Sequence, residues 1–341
     1  ASTLSREAVL RGDFDRYADT TRSKRGTAEV DAAFLQELEG WRKTLAQSIA
    51  ARNPRVDQQE LNFAVQRIID RIVFLRICED RGIEDYGVLL ELLNGAKIYR
   101  RLCDRFVVAD REYNSGLFHF RKRPGRIEHP DELSLNIDVD DKALKEIIAD
   151  LYYPRSPYEF SVLSAEILGQ VYEQFLGKVI RLTPGHGVKI EDKPQVRKSG
   201  GVYYTPAYIV DHIVAKTIAV WLEGKTPKQA AKLKILDPAC GSGSFLIAAY
   251  QYLLDWHRDW YVAHRTRNSR DEIFSGPGGE WRLTTPERKR ILLNSIHGVD
   301  IDSQATEVTK LSLLLKILEG ESSETQLRLR LPDRRLPDLG S

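Results

Sequence analysis

The sequence predicts an α/β fold that is preceded by a helical region. Between residues 30 and 106, apolar side chains recur at helical spacing in three successive segments. Residues 234–250 then read as a short apolar strand, a glycine-containing loop and an apolar helix. A second short apolar strand ends at Asp300. Strands that alternate with helices are typical of α/β domains.

Composition sets few limits on the function. The chain has 341 residues, enough for two domains, and a formal net charge of +2. This nearly neutral charge does not indicate a nucleic-acid partner, so any DNA contact would depend on local basic patches. Charged residues interrupt each long apolar run, and the N-terminus has no signal-peptide pattern, so we predict a cytoplasmic protein without a membrane span.

The cysteines and the absence of methionine lead to two further predictions. Cys78, Cys103 and Cys240 have neither metal nor disulfide spacing, which predicts reduced thiols and no metal site. The sequence begins at Ala1 and contains no methionine. This indicates either a fragment or a sequence with gaps where methionines belong.

The first half of the chain is predicted to be helical. Helices are expected over 30–51, from Asp57 to near Gly82, over 88–106, over 141–151 and over 164–182. We assign residues 1–182 to a helical connector domain, 183–199 to a linker and 200–341 to the α/β domain. Glu191-Asp192-Lys193 has part of a nuclease signature, but it lies in a Pro- and Lys-rich turn, so we do not interpret it as a nuclease site.

A basic cluster lies in the loop-like segment 114–139. Its members are Arg121, Lys122, Arg123 and Arg126. Clustered Arg and Lys bind DNA phosphates without sequence preference. A solvated loop is the alternative interpretation.

The strand, loop and helix at 234–250 predict a cofactor site. Asp237 ends the strand, Gly241 and Gly243 form the loop, and the helix follows from Phe245. Glycines let the backbone approach a ligand closely, and the helix N-terminus presents free N–H groups.

Two other segments are predicted to lie beside this loop. Thr205 is expected to cap a helix that begins at Pro206, and such a helix end binds carboxylates. Asp300 ends the second strand, where a carboxylate can accept bonds from ribose hydroxyls. The separation 300 − 243 = 57 exceeds the usual spacing of about 20 residues. An inserted loop over 265–286 accounts for the excess, and Asp302 is expected to cap the next helix.

The motifs together resemble a known family. The string from Asp237 to Phe245, Asp-Pro-Ala-Cys-Gly-Ser-Gly-Ser-Phe, resembles the S-adenosylmethionine loop of the amino-group DNA methyltransferases, in particular the adenine-specific branch. Tyr-Thr-Pro at 204–206 and Gly-Val-Asp-Ile-Asp at 298–302 are similar to two further cofactor motifs of this family. The resemblance implies a Rossmann-like core with Ile301 against the adenine ring. The implied cofactor contacts are Tyr204, Thr205, Asp237, Ala239, Gly241, Gly243, Phe245, Asp300 and Ile301.

The catalytic signature of that family, Asn-Pro-Pro-Tyr, does not occur in this sequence, where Asn53-Pro54 is followed by Arg55. We therefore name no catalytic residue and expect a truncated core that holds only the cofactor half. A helical region before such a core is similar to the single-chain, type IIG-like restriction-modification enzymes. This likeness implies double-stranded DNA as partner, with nuclease and target-recognition domains outside the fragment. Methylation of RNA or of a protein glutamine, and a non-catalytic recognition or assembly subunit with a vestigial cofactor fold, are the alternatives.

Overall fold

The computed structural model describes most of the chain, in the following ranges: 27–113, 116–122, 129–156, 160, 177–193, 205–264, 271–276, 279–319, 336–337 and 339. Within these ranges the helical region contains α1 (Thr27–Arg52), α2 (Gln58–Asp80), a 3-10 turn (Leu90–Leu93), α3 (Ile98–Tyr113), α4 (Leu133–Asn136) and α5 (Asp141–Ala149). No described helix is long and apolar enough to cross a membrane.

Helices α1 and α2 confirm the first two predicted helices. The side chain of Asp57 accepts a hydrogen bond from Glu60 N at 2.8 Å, and the Glu60 carboxylate accepts one from Asp57 N at 3.0 Å. This reciprocal capping box fixes the start of α2. At the preceding turn, Asn53 Nδ2 donates to the carbonyls of Ile49 and Asp138, and Asn53 Oδ1 accepts from Asp138 N. The amide of Asn53 therefore joins two structural segments.

The third predicted helix, over 88–106, is wrong in its extent. The chain makes only the 3-10 turn at Leu90–Leu93, and α3 begins at Ile98. Gly95 has φ +97° and Lys97 has φ +55°, which a continuous right-handed helix does not allow. The Asp141 carboxylate accepts hydrogen bonds from the N–H groups of Lys97 and Ile98 at 2.9 and 2.8 Å, and so caps the later start.

An antiparallel hairpin replaces the end of another predicted helix. Strands β1 (Lys178–Leu182) and β2 (Val188–Asp192) pair where the sequence indicated a helix and then a linker. The helix prediction is wrong for β1, and residues 161–176 lie outside the described part. The cause is tertiary: Asn62 on α2 binds both the N–H and the carbonyl of Ile180, at 2.9 and 2.7 Å.

The second half of the chain consists of helices and short strands. These elements are α6 (Ala207–Val214), α7 (Val220–Leu222), α8 (Pro227–Ala230), β3 (Ile235–Asp237), α9 (Ser244–Ala263), β4 (Ile273–Ser275), β5 (Trp281–Leu283), α10 (Thr285–Ser295), β6 (Ile296–Gly298) and α11 (Ser303–Ile317). Helices α9 and α11 confirm the sequence predictions, and Asp302 caps α11 as expected. The hairpin of β4 and β5 lies in the segment predicted as an inserted loop, which is therefore wrong for those residues.

Helix α6 begins later than the sequence indicated. Pro206 occupies the N-cap position without a side-chain cap, and its ψ of 139° is extended. The prediction that Thr205 caps this helix is therefore wrong, because the helical backbone starts only at Ala207 and Thr205 lies one residue too far away. A π-helical turn over Ala215–Ala219 links α6 to α7, and α6 packs against α9.

The helical region is joined to the second half through α2 and α11. Arg67 forms an ion pair with Glu307, and both side chains are almost fully buried. Burial lowers the pKa of Arg67, but the negative charges of Glu307, Asp131 and Asp70 outweigh it and hold that pKa above its ordinary value. Arg81 also donates to the carbonyl of Leu315 near the end of α11, at 3.0 Å.

Candidate cofactor site

The parallel pairing of β3 with β6 brings two loops together at one edge. Asp237 lies opposite Gly298 in the register, so both strands end side by side. Beyond the strands, Val299 N donates to the carbonyl of Asp237, and Cys240 N donates to the carbonyl of Val299, both at 2.9 Å. The loop after β3 and the segment after β6 therefore form one hydrogen-bonded unit.

The loop after β3, residues 238–243, is held in a tight conformation. The Asp237 carboxylate accepts a hydrogen bond from Ala239 N at 3.1 Å, and Gly243 N donates to the carbonyl of Cys240 at 2.8 Å. Gly241 has φ +54° and Gly243 has φ +89°. Both positions favour glycine, because an L side chain is strained in this left-handed region.

Asp300 connects the two segments with both of its carboxylate oxygens. Its Oδ2 accepts a hydrogen bond from Gly241 N, and its Oδ1 accepts one from Asp302 N, each at 2.8 Å. A carboxylate has about four acceptor positions, so each oxygen retains capacity for a further donor. Asp300 is half-buried, which leaves it within reach of a ligand at the edge.

The two glycines face different surroundings. A Cβ added at Gly241 would meet no atom within 4 Å. A Cβ at Gly243 would lie 2.7 Å from Thr309 Cγ2 and 2.9 Å from Thr309 Oγ1. Gly241 therefore borders open space, whereas Gly243 packs tightly against α11 and forms the N-cap of α9. Because glycine supplies no capping side chain, the first-turn N–H groups of α9 are left for another acceptor.

Cys240 has the properties of a packing residue. Its side chain is buried, and burial together with the charges of Asp300 and Asp237 raises the pKa of the thiol. A thiol that stays protonated is a poor nucleophile. A Cβ added at Gly298 would lie 3.2 Å from Cys240 Sγ and 2.5 Å from Leu246 Cδ1, so β6 approaches the loop and α9 at a distance that favours glycine.

The other predicted contact residues have separate positions. Ile301 follows Asp300 with a fully exposed side chain, and Phe245 is half-buried in the first turn of α9, against the core. Thr205 is half-buried and precedes α6, which packs on α9. Tyr204 lies outside the described residues. The structure thus joins Asp237, Ala239, Gly241, Gly243 and Asp300 by hydrogen bonds or turns, and Ile301 and Phe245 adjoin them.

Two members of the basic cluster, Arg121 and Lys122, lie between α3 and α4. Arg121 and Lys122 are exposed there, whereas Arg123 and Arg126 lie outside the described residues. The neighbouring ring of Phe120 lies beneath the guanidinium of Arg71, 4.5 Å from the ring centre.

Two side chains at this site were not predicted from the sequence. Thr309, on α11, donates from its hydroxyl to the carbonyl of Gly241 at 2.8 Å. Lys193, just after β2, forms an ion pair with Asp302. Neither has a local signal, because Thr309 reads as an ordinary helix residue and Lys193 as part of a polar turn. Only the packing of α11 and the hairpin brings them to the loop.

Comparison with known proteins shows that part of the second half of the chain is similar to a DNA-methyltransferase domain. Residues 223–335 match the family model described as MmeI, DNA-methyltransferase domain. This range contains the loop after β3 and the Asp300 segment, so the resemblance that these motifs predicted is confirmed. The family implies a methyl donor as cofactor.

Several curated proteins are similar over most of the chain. RM.Eco57I of Escherichia coli, a type II restriction enzyme and methyltransferase, is 35% identical over 322 residues, which are 94% of this chain and 31% of that protein. RM.MjaORFECS2P of Methanocaldococcus jannaschii, a putative type II restriction enzyme and methyltransferase, is 27% identical over 92% of this chain and 29% of its own length. The adenine-specific methyltransferase PglX of Streptomyces coelicolor is 25% identical over 90% of this chain and 24% of its own length. The chain therefore spans less than a third of each of these relatives.

Proposed function

We propose that this chain is the cofactor-binding part of an adenine-specific DNA methyltransferase from a restriction-modification or defence system. The observation that carries the proposal is the clamp that Asp237 and Asp300 make on the loop Ala239–Gly243. The match of this segment to a DNA-methyltransferase domain supports it, as do the relatives that are named adenine-specific methyltransferases or restriction enzymes and methyltransferases.

S-adenosylmethionine is the proposed cofactor, and the residues present fit it. The space beside Gly241 is free of neighbouring atoms, as a cradle for a ligand requires. The spare acceptor positions of Asp300 suit ribose hydroxyls, Asp237 suits the methionine ammonium, and Ile301 offers an apolar surface to the adenine ring. The remaining proposed contacts are Ala239, Gly241, Gly243, Phe245 in the first turn of α9, and Tyr204 and Thr205 before α6. When bound, the cofactor would supply an electrophilic methyl group on a sulfonium.

A Rossmann-like core has, at its cofactor edge, parallel strands that are each followed by a helix. Here β3 and β6 are parallel, α9 follows β3, and α11 follows β6. In this proposal residues 200–341 belong to that core and residues 1–182 to a helical connector. The chain's own residues bind and orient the cofactor, and the half-buried clamp keeps the loop in a fixed conformation. Transfer to a flipped adenine would require groups beyond those described here.

Arg121 and Lys122, with Arg123 and Arg126, are proposed to contact DNA phosphates. The first two are exposed on the helical region, as such a contact requires. Double-stranded DNA is the proposed substrate, with nuclease and target-recognition functions assigned to other parts of a longer protein.

The test of this function is methyl transfer by the natural full-length protein. The protein is incubated with S-adenosylmethionine labelled in its methyl group and with one of three acceptors: double-stranded DNA, structured RNA or glutamine-containing peptides. We expect label in DNA only, recovered as N6-methyladenine after digestion to nucleosides. Label in RNA or peptide instead would support the alternative substrates, and cofactor binding without transfer to any acceptor would support a non-catalytic subunit.

A further inference from the structure

The carbonyl and the N–H of Gly241 are held by two different side chains, and both come from the segment after β6. Asp300 Oδ2 accepts from the N–H, and the Thr309 hydroxyl donates to the carbonyl, each at 2.8 Å. The two peptide groups that flank Gly241 are thereby fixed, and the space that a Cβ on Gly241 would enter is open.

The same threonine also supports the second glycine. Its Cγ2 and Oγ1 occupy the positions that a Cβ on Gly243 would approach to 2.7 and 2.9 Å. The side chain is nearly inaccessible, with 5% exposure, so Thr309 lies packed beneath the loop. One residue on α11 therefore contacts both glycines, by a hydrogen bond at Gly241 and by packing at Gly243.

We propose that Thr309 is a positioning residue for the cofactor loop: its hydroxyl fixes the peptide after Gly241 so that the loop already has its binding conformation before the cofactor arrives. This inference rests on the proposed function, because it assigns the loop to S-adenosylmethionine. A preorganised loop binds more tightly than one that must be ordered on binding. Thr309 acts through Gly241 and is not a catalytic residue.

The test compares four versions of the full 341-residue chain by calorimetric titration with S-adenosylmethionine. Thr309→Val retains the branched shape and removes the donor, whereas Thr309→Ser retains the donor and removes the methyl group. Thr306→Val is the matched control, since the Thr306 hydroxyl donates only within its own helix, to the Ser303 carbonyl at 2.8 Å. Thermal unfolding of each protein is measured in parallel, without cofactor.

We expect Thr309→Val to weaken the affinity about tenfold, a change of about 1.4 kcal/mol. Thr309→Ser and Thr306→Val should stay within about twofold of the unchanged chain. The unfolding midpoint of Thr309→Val should fall somewhat below that of Thr306→Val, because the part-buried carbonyl of Gly241 loses its donor.

Equal affinity of Thr309→Val and the unchanged chain would overturn the inference while leaving the proposed function intact. An affinity loss in Thr309→Ser as large as that in Thr309→Val would also overturn it, because packing and not the hydroxyl would then be responsible. If Thr309→Val fails to fold, Thr309→Ser decides alone: an affinity loss of about tenfold in this folded variant, which keeps the donor, would overturn the inference. Absence of binding by the folded, unchanged chain would instead overturn the proposed cofactor site itself, and the inference with it.

Discussion

Asp300 Oδ2 accepts a hydrogen bond from the N–H of Gly241 at 2.8 Å, and the two residues are 59 positions apart in the sequence. This bond connects the two segments that the sequence marks as cofactor motifs. The carboxylate therefore has a structural task in addition to its proposed contact with ribose hydroxyls. It orders the loop while it retains acceptor positions for a ligand.

The two loop glycines should respond differently to alanine. At Gly243, alanine would be strained by the φ of +89°, and its Cβ would lie only 2.7 Å from Thr309 Cγ2. We therefore expect a loss of roughly 2–5 kcal/mol in the free energy of unfolding. At Gly241 only the backbone strain applies, which predicts a loss of about 1–2 kcal/mol. Denaturant unfolding of both variants checks the order.

Cofactor affinity should separate the same two variants in a second way. A methyl group at position 241 points into the open space beside the loop, so Gly241→Ala should lose more affinity than its stability loss explains. Full affinity in Gly241→Ala would contradict the assignment of that space to the cofactor, whereas equal stability losses in the two variants would contradict the tight packing of Gly243 against Thr309.

The buried ion pair between Arg67 and Glu307 should be important for stability. Glu307→Ala leaves the guanidinium of Arg67 buried without its nearest partner, which we expect to cost roughly 3–5 kcal/mol of unfolding free energy. Arg52→Ala is the control, because Arg52 pairs with Asp138 and Asp140 at the exposed surface. We expect little change there. Chemical denaturation measures both, and equal effects would show that α2 and α11 are not held together by the buried pair.

Glu37 should give the stability a pH dependence at neutral pH. Burial, and then the negative charge of Asp150, raise the pKa of Glu37 to about 7. This folded-state pKa exceeds that of the unfolded chain. The stabilising contribution of Glu37 to folding is therefore fully present below about pH 4.5 and is lost as the pH rises through 7.

Glu37→Gln should therefore stabilise the protein more at pH 8 than at pH 5. Thermal unfolding at both pH values tests this expectation, with Glu91→Gln as the control because Glu91 is exposed. A gain at pH 8 no larger than the gain at pH 5 would mean that folding does not raise the pKa of Glu37.

The ion pair of Lys193 with Asp302 should have a small effect on cofactor affinity. Asp302 caps α11, and its own N–H is held by Asp300. Lys193→Met removes the cation and keeps most of the apolar stem, so we expect a two- to fivefold loss of cofactor affinity, within the range of partly exposed ion pairs. Calorimetric titration measures it, and an affinity gain would argue against a supporting role for the hairpin.

The sequence was sufficient to predict those parts of the fold that depend on local signals. Asp57 and Asp302 are helix caps because Asp binds first-turn N–H groups, and both were predicted correctly. The strand that ends at Asp237 and the helix after Gly243 follow from apolar runs around a glycine loop, and the structure confirms both.

The failures have tertiary causes. Apolar residues over 178–182 fit a helical pattern, but Asn62 of α2 binds the backbone of Ile180 and a hairpin forms there. The break before α3 depends on the left-handed Lys97 and on Asp141, which lies 44 residues away. Thr309 could not be assigned to the loop, since its contact with Gly241 spans 68 residues.

The most direct test of the account is a calorimetric titration of this chain with S-adenosylmethionine, compared with Asp300→Ala. Asp104→Ala, an exposed carboxylate on α3, is the control. We expect a dissociation constant in the micromolar range, about −8 kcal/mol, which Asp300→Ala weakens by one to two orders of magnitude and Asp104→Ala leaves unchanged. Undiminished binding by Asp300→Ala, or no binding by the folded unchanged chain, would contradict the account.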